Sequence, residues 1–265
     1  MASQKYILQG SGGHICYWLS GKVDKPLIVF AHGASLDRRL FDPQLVAIGE
    51  HYRILTWDMR GHGCSKPIDN NFSLQLAARD LVALIHQAGY QQAVLVGQSM
   101  GSYVCQEAIF CHPEIALAFV SLGAPCITLS PSFLANLGLR IGTLLSAFYP
   151  YNWLKAPTAR AISSTTHGQQ YARETLNQMT QSEYAHVMRA VGRGFHTENN
   201  DRIQCPLLLA WGQFDYPGMQ HNIARWAQRD PASIQLEIPD AGHIANYDNP
   251  VFFNKVLLQF LSNHL

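Results

Sequence analysis

Six short apolar runs punctuate the chain: "LIVFA" (27–31), "RILTW" (53–57), "AVLVG" (93–97), "LAFVSL" (117–122), "LLLAW" (207–211) and "IQLEI" (234–238). They are mostly continuous rather than alternating, as strands covered on both faces read. Between them the apolar positions recur at helical spacing. Over 73–88, Leu74, Ala77, Leu81, Leu84 and Ala88 share one face, with Ser73 placed to cap the start and Gly89 to end the helix. The last segment opens at Asp248, read as an N-cap, with Pro250 in the first turn and Phe252, Phe253, Val256, Leu257 and Phe260 behind it. Strand and helix therefore alternate, which predicts an α/β fold with a mainly parallel sheet and helices on both faces. The opening runs "KYILQ" and "HICYWL", separated by Gly10, Gly12 and Gly13, predict an antiparallel hairpin on one edge.

The alternation stops between residues 126 and 202. There the pattern is helical, in pieces punctuated by Pro131, Pro150, Pro157 and Gly168, and Leu134, Leu137, Ile141, Leu144, Leu145 and Phe148 form a wide apolar stripe. This divides the chain into a core, 1–125 with 203–265, and a helical insertion, 126–202. An all-helical insertion between two strands either sits as a cap over the strand ends, where open α/β sheets bind ligands, or widens the core. The cap is the reading adopted.

Charge and composition remove several function classes. The 19 basic and 18 acidic residues nearly cancel, so the clustered positive surface that nucleic acid rewards is not indicated, nor is a polybasic membrane anchor. The N-terminal stretch lacks the long apolar core of a signal peptide, and no apolar run reaches the ~18 residues of a membrane span. Six cysteines (Cys16, Cys64, Cys105, Cys111, Cys126 and Cys205) form no CxxC pair and no zinc-like spacing with histidine. These features point to a reduced, cytoplasmic setting and a small-molecule substrate, with no cofactor and no metal. Oligomeric state is not readable.

The candidate chemistry lies in "AVLVGQSMGS" (93–102). A sharp strand-to-helix turn exposes a serine but strains its backbone, so only small residues fit two positions before and after it. Gly97 and Gly101 occupy those positions around Ser99, and "GSYVCQEAIFC" continues as a helix whose positive end faces the site. A base is offered by His243, in the loop between the last strand and the last helix; imidazole is the side chain suited to general-base work near neutrality. An acid is offered by Asp215, four residues after Trp211 and ahead of a helix that Pro217 can start. Asp240 lies too close in sequence to His243, Asp201 falls in the polar segment leaving the insertion, and "SLGAP" after the preceding strand has no carboxylate.

The order Ser99, Asp215, His243, each just past a strand, resembles that of the α/β-hydrolase fold family. So do "FAHGAS" (30–35), like the family's HG turn, and "WDMRGHGCS" (57–65), like its D-x-R-G-x-G-x-S loop. The resemblance covers nearly the whole chain and is to the capped, esterase-like branch. It implies an oxyanion hole built from the backbone N–H groups of Ala34 and Met100, and a serine hydrolase acting on a small or medium apolar carboxylic ester. Asp58, Arg60 and His32 are read as structural. Trp153, Phe133, Phe148 and Tyr149 suggest either an apolar substrate moiety or core packing. Haloalkane dehalogenases and epoxide hydrolases of this fold use an aspartate nucleophile, against which Ser99 argues. Three alternatives stay open: a carbon–carbon bond hydrolase with Arg189 or Arg193 holding an acidic substrate, a lyase using the triad as a base, and a non-catalytic ligand-sensing protein.

Overall fold

The computed structural model describes residues 3–10, 13–68, 72–129, 150–196 and 202–265. All six apolar runs are strands: β3 (Leu27–Ala31), β4 (Arg53–Trp57), β5 (Ala93–Gln98), β6 (Ala116–Leu122), β7 (Leu207–Gly212) and β8 (Ile234–Ile238). The predicted hairpin is β1 (Gln4–Gly10) with β2 (Gly13–Gly21). One sheet holds all eight in the order β1-β2-β4-β3-β5-β6-β7-β8. β1 and β2 run antiparallel to each other and β2 to β4; every later pairing is parallel. Helices α1 (Asp42–Ile48), α2 (Leu74–Gln87), α3 (Met100–Cys111), α7 (Met219–Arg229) and α9 (Pro250–His264) supply the layers that cover it. α2 packs on α3 and α1 on α9. Phe30, Phe119, Trp57, Trp226 and Phe253 are fully buried between these layers.

Register brings the functional loops together. Ala31 of β3 pairs with Gly97 of β5, Gly97 with Ser121 of β6, and Leu122 of β6 with Ala210 of β7. Four neighbouring parallel strands thus end at one level, where open α/β sheets bind their ligands. β8 departs from the buried pattern expected of it: Ile234 is 47% exposed, and Gln235 and Glu237 are exposed too. The reason is its place at the sheet edge, where "IQLEI" covers only one flank.

The helix starts follow the side-chain chemistry, with one correction. Ser73 caps α2, accepting from the Leu76 N–H at 3.1 Å, and Gly89 follows its end at φ 88°. The final helix is capped by Asn249, which accepts from the Phe252 N–H at 3.2 Å, and not by Asp248. Asp248 closes the short helix α8 (Ala245–Asp248). There it accepts from Ser163 Oγ (2.5 Å), Thr165 Oγ1 (3.0 Å), and the Ser164 and Gly242 N–H groups (3.0 and 2.8 Å).

Those serine and threonine donors belong to the chain between β6 and β7. Its described helices are α4 (Tyr151–Ile162), α5 (Thr166–Asn177) and α6 (Gln181–Arg193). Pro157 sits inside α4 and Gly168 in the first turn of α5, so neither breaks a helix as the punctuation suggested. The stripe at 134–148, with Phe133, Phe148, Tyr149 and Asp201, lies outside the described residues. The inserted helices meet the core through loops that follow strands. Tyr171 Oη donates to the Asp37 carbonyl at 3.0 Å, Lys66 Nζ to the Gln178 carbonyl, and the Ile244 N–H to the Ile162 carbonyl at 3.1 Å.

The loop after β4 is anchored by a buried ion pair. Arg60 reaches Asp80 of α2 with Nε–Oδ2 at 2.6 Å and Nη2–Oδ1 at 2.8 Å, and both side chains are under a tenth exposed. Removing one charge strands the other in a dry site. Arg60→Leu is expected to destabilise the protein by about 3–5 kcal/mol, and Arg60→Leu/Asp80→Leu by clearly less. Denaturant midpoints of the two variants check this; an equal loss in both would mean that packing, not charge pairing, holds the loop.

Candidate active site

Ser99 sits between β5 and α3 with φ 51° and ψ −117°, a conformation rarely tolerated by a side-chain-bearing residue. The flanking glycines are steric necessities. A Cβ on Gly97 would lie 2.5 Å from the Ser102 Cα, and one on Gly101 would fall on the Ala31 carbonyl oxygen. The turn is pinned from outside as well, since the Ser99 N–H donates to the Leu122 carbonyl at 2.8 Å. Ser102 turns inward, its hydroxyl 2.6 Å from that of Ser121.

Asp215 and His243 come together at the next strand ends. His243 Nδ1 donates to Asp215 Oδ1 at 2.7 Å, and the same oxygen accepts the Tyr216 N–H at 2.7 Å. The pair is dry: the Asp215 side chain is 1% exposed and that of His243 is 8% exposed. This bond fixes the imidazole proton on Nδ1 and leaves Nε2 as the acceptor. The His243 backbone is tied to the serine turn by Gln98, whose Nε2 donates to the His243 carbonyl at 2.9 Å. Gly123, at φ 57° after β6, clears the space, because a Cβ there would lie 2.9 Å from Asp215 Oδ2 and 3.1 Å from His243 Nδ1. The Tyr216 ring packs on the His243 ring with centroids 4.4 Å apart.

Gln98, Gly123 and Tyr216 are not evident as site residues from the sequence alone. Two carried a signal: Gln98 is an amide in an otherwise apolar strand end, and Gly123 is the position in "SLGAP" that offers no carboxylate. Tyr216 carried none.

The HG turn lies against the serine, with the Gly33 Cβ position 3.3 Å from the Ser99 Cβ. Ala34 follows on this turn, and Met100 opens α3, where the first N–H groups have no carbonyl to meet within the helix. Two buried histidines shape the turn. His32 Nδ1 donates to the Gly33 carbonyl at 2.8 Å and its Nε2 accepts the Met59 N–H at 3.0 Å. His62 Nδ1 donates to the Arg60 carbonyl at 3.0 Å and its Nε2 accepts the Ser35 N–H at 3.1 Å. Each is therefore a neutral ring with its proton on Nδ1. Burial pushes both below the usual histidine range, His62 to about 3, with the neighbouring His32 adding to the effect there. Asp58 completes the arrangement, accepting from the Arg38 N–H (2.9 Å) and the Cys64 N–H (2.8 Å). His32 and Asp58 thus hold backbone and Arg60 holds the Asp80 carboxylate, in keeping with the structural role read for them.

Arg189 and Arg193 are exposed on α6 and line a surface cleft with His186, Phe72, Ser73 and Gln75, a group that includes none of Ser99, Asp215 and His243. Trp153 is 71% exposed, which removes it from core packing. Among the described residues no helix is long and apolar enough to cross a membrane.

Because the folded His62 value lies below the unfolded one, its contribution to stability is full above about pH 6.5 and is lost as the pH falls from there toward 3. His62→Asn removes the titration. The variant is expected to be about 1–3 kcal/mol less stable at pH 7.5, with the gap to wild type closing as the pH drops toward 4. Urea melts at several pH values measure this; a constant gap would show that His62 protonation is not linked to folding.

Comparison with known proteins places the fold that carries this geometry. A profile of the alpha/beta hydrolase family matches residues 28–256. The 3-oxoadipate enol-lactonase 1 of Acinetobacter baylyi is 24% identical, over 97% of this chain and 96% of its own. Epoxide hydrolase 3 of Xenopus tropicalis is 24% identical over 96% of this chain and 76% of its own length. Among solved structures, a thermophilic esterase from Thermogutta terrifontis with malate bound superposes with a TM-score of 0.83 at 19% identity, over 100% of both chains.

Proposed function

The chain belongs to the alpha/beta hydrolase family, and from that premise we propose that it is a serine hydrolase cleaving a small or medium apolar carboxylic ester through an acyl-enzyme. One observation carries the reading: a dry His243–Asp215 hydrogen bond of 2.7 Å, tethered through Gln98 to the strained turn that presents Ser99. In this mechanism His243 Nε2 takes the Ser99 hydroxyl proton as Oγ attacks the ester carbonyl. Asp215 keeps the ring oriented and stabilises the imidazolium. The Ala34 and Met100 N–H groups receive the developing oxyanion, each such donor being worth about 3 kcal/mol. The imidazolium then protonates the leaving alcohol, and a water activated by the same nitrogen releases the acid.

Two kinds of relative agree with this bond type. A lactone is a cyclic ester, so the enol-lactonase and the esterase are both named for acyl–oxygen cleavage. The epoxide hydrolase is named for a different reaction, and the epoxide hydrolases of this fold use an aspartate where this chain has Ser99. Helices α4–α6 act as a cap in this reading, since they dock on loops that leave the same strand ends as the three catalytic side chains.

A fluorophosphonate probe is expected to label wild type and leave Ser99→Ala unlabelled. With p-nitrophenyl esters of increasing acyl length, Ser99→Ala should lose all measurable turnover, and Asp215→Asn should lower kcat by roughly 10⁴. Equal labelling of wild type and Ser99→Ala would remove Ser99 from the chemistry. Labelling without turnover of any ester in the series would transfer the reading to a non-catalytic or a carbon–carbon bond-cleaving protein.

A further inference from the structure

Three reactive side chains gather away from the Ser99 turn, where the β1–β2 hairpin meets the loop after β4. Cys16 of β2 donates its Sγ–H to the Cys64 carbonyl at 3.3 Å. The backbone closes the same contact from both sides. The Cys16 N–H donates to Ser65 Oγ at 2.8 Å, and His14 Nε2 lies 3.1 Å from the Cys64 carbonyl oxygen. Lys5 is two positions from Ile7, the residue paired with Cys16, so it shares that face of the hairpin. The two thiols raise its ammonium above the usual lysine value, Cys16 first and Cys64 next. Burial pushes the Cys16 thiol up and Lys5 draws it back.

The two thiols differ in access. Cys16 is 1% exposed, whereas Cys64 is exposed. Packing accounts for a buried cysteine on β2. It does not account for an exposed second thiol on the very residue whose carbonyl meets Cys16, beside the hairpin face that Lys5 shares.

We propose that Cys64 and Cys16 are a peroxide-reactive dithiol that closes to a disulfide, with Lys5 as its charge partner. Cys64 sulfur attacks one peroxide oxygen; the O–O bond breaks, an S–O bond forms, and the leaving hydroxide takes up the thiol proton as water. Cys16 sulfur then attacks the Cys64 sulfenic acid, the S–O bond breaks, and the hydroxyl leaves as water with the Cys16 proton. Both sulfurs are oxidised by one electron each and the peroxide is reduced by two: two thiols and one hydrogen peroxide give one disulfide and two waters. The bond would join β2 to the loop carrying Asp58 and His62, hence to the backbone of the HG turn. Cys111 serves as an internal control, being exposed and on α3, away from this cluster.

The full-length folded protein, treated with hydrogen peroxide, alkylated and digested without reductant, is expected to yield a Cys16–Cys64 linked peptide two hydrogen masses lighter than its parts. Dithiothreitol should reverse it, and it should appear before Cys111 is modified. Cys64→Ser should abolish the product and leave Cys16 alkylatable at the same dose. Cys16→Ala should leave a Cys64 sulfenic acid that dimedone traps. Lys5→Met should slow the linkage by roughly threefold or more. Oxidation of Cys64 and Cys111 at the same rate, or passage of Cys64 to sulfinic acid in wild type without the linked peptide, would overturn the proposal. Ester turnover is not a readout here, so the outcome is independent of the function proposed above.

Discussion

The backbone at Ser99 is the constraint around which the strand-end side of the molecule is arranged. A residue with a side chain at φ 51° costs about 1–3 kcal/mol, and such strain persists only where neighbours leave no alternative. Here the neighbours are the absent side chains of Gly97 and Gly101, the Ala31 carbonyl pressed against the turn, and the Leu122 carbonyl that receives the Ser99 N–H. Gly97, Ala31 and Leu122 come from three different strands of the same sheet, and Gly101 from the first turn of α3. The serine therefore stands in the open because β3, β5 and β6 are in register, and a slip in any one pairing would release it.

A second, polar layer stabilises the turn opposite. Buried polar groups are costly unless each finds its partner, and the loops after β3 and β4 solve this reciprocally. His32 and His62 each donate through Nδ1 to a carbonyl and accept an N–H at Nε2, which binds Met59 to one turn and Ser35 to the other. Asp58 takes two further N–H groups, and Arg60 ties the loop to α2 through Asp80. In the proposed mechanism none of these side chains touches substrate. In that mechanism they hold the backbone of the HG turn so that its amides can meet an oxyanion, positioning work that a flexible loop could not perform. The Cys16–Cys64 contact abuts the same loop, so any covalent change there acts on backbone already tied to this layer.

The inserted helices are fastened differently. Asp248, at the end of α8, gathers donors from Ser163, Ser164, Thr165 and Gly242, joining the α4–α5 connection to the loop that carries His243. Tyr171 and Lys66 make two more links to loops after β3 and β4. The attachment is thus through hydrogen bonds to loops together with apolar contact, since Ala159, Ile162, Leu176, Val187 and Ala190 of these helices are buried in the same cluster as the core.

Much of this was legible along the chain because it rests on local chemistry. Continuous apolar runs located the strands β3 to β7, since residues buried on both faces leave no polar positions. Ser73 and Gly89 marked the limits of α2, and the small residues around Ser99 marked a turn that larger ones cannot make. Where the sequence misled, a neighbour decided: β8 is half exposed because it is the edge strand among the described residues, Asn249 took the cap read for Asp248 because Asp248 had donors elsewhere to satisfy, and Pro157 stayed inside a helix. The partners of the histidines, the place of Gln98 and Gly123, and the meeting of Cys16 with Lys5 and Cys64 were decided only by the tertiary structure. They join positions far apart in the chain, and no local pattern encodes which distant carbonyl or thiol a side chain will meet once the sheet has set its register.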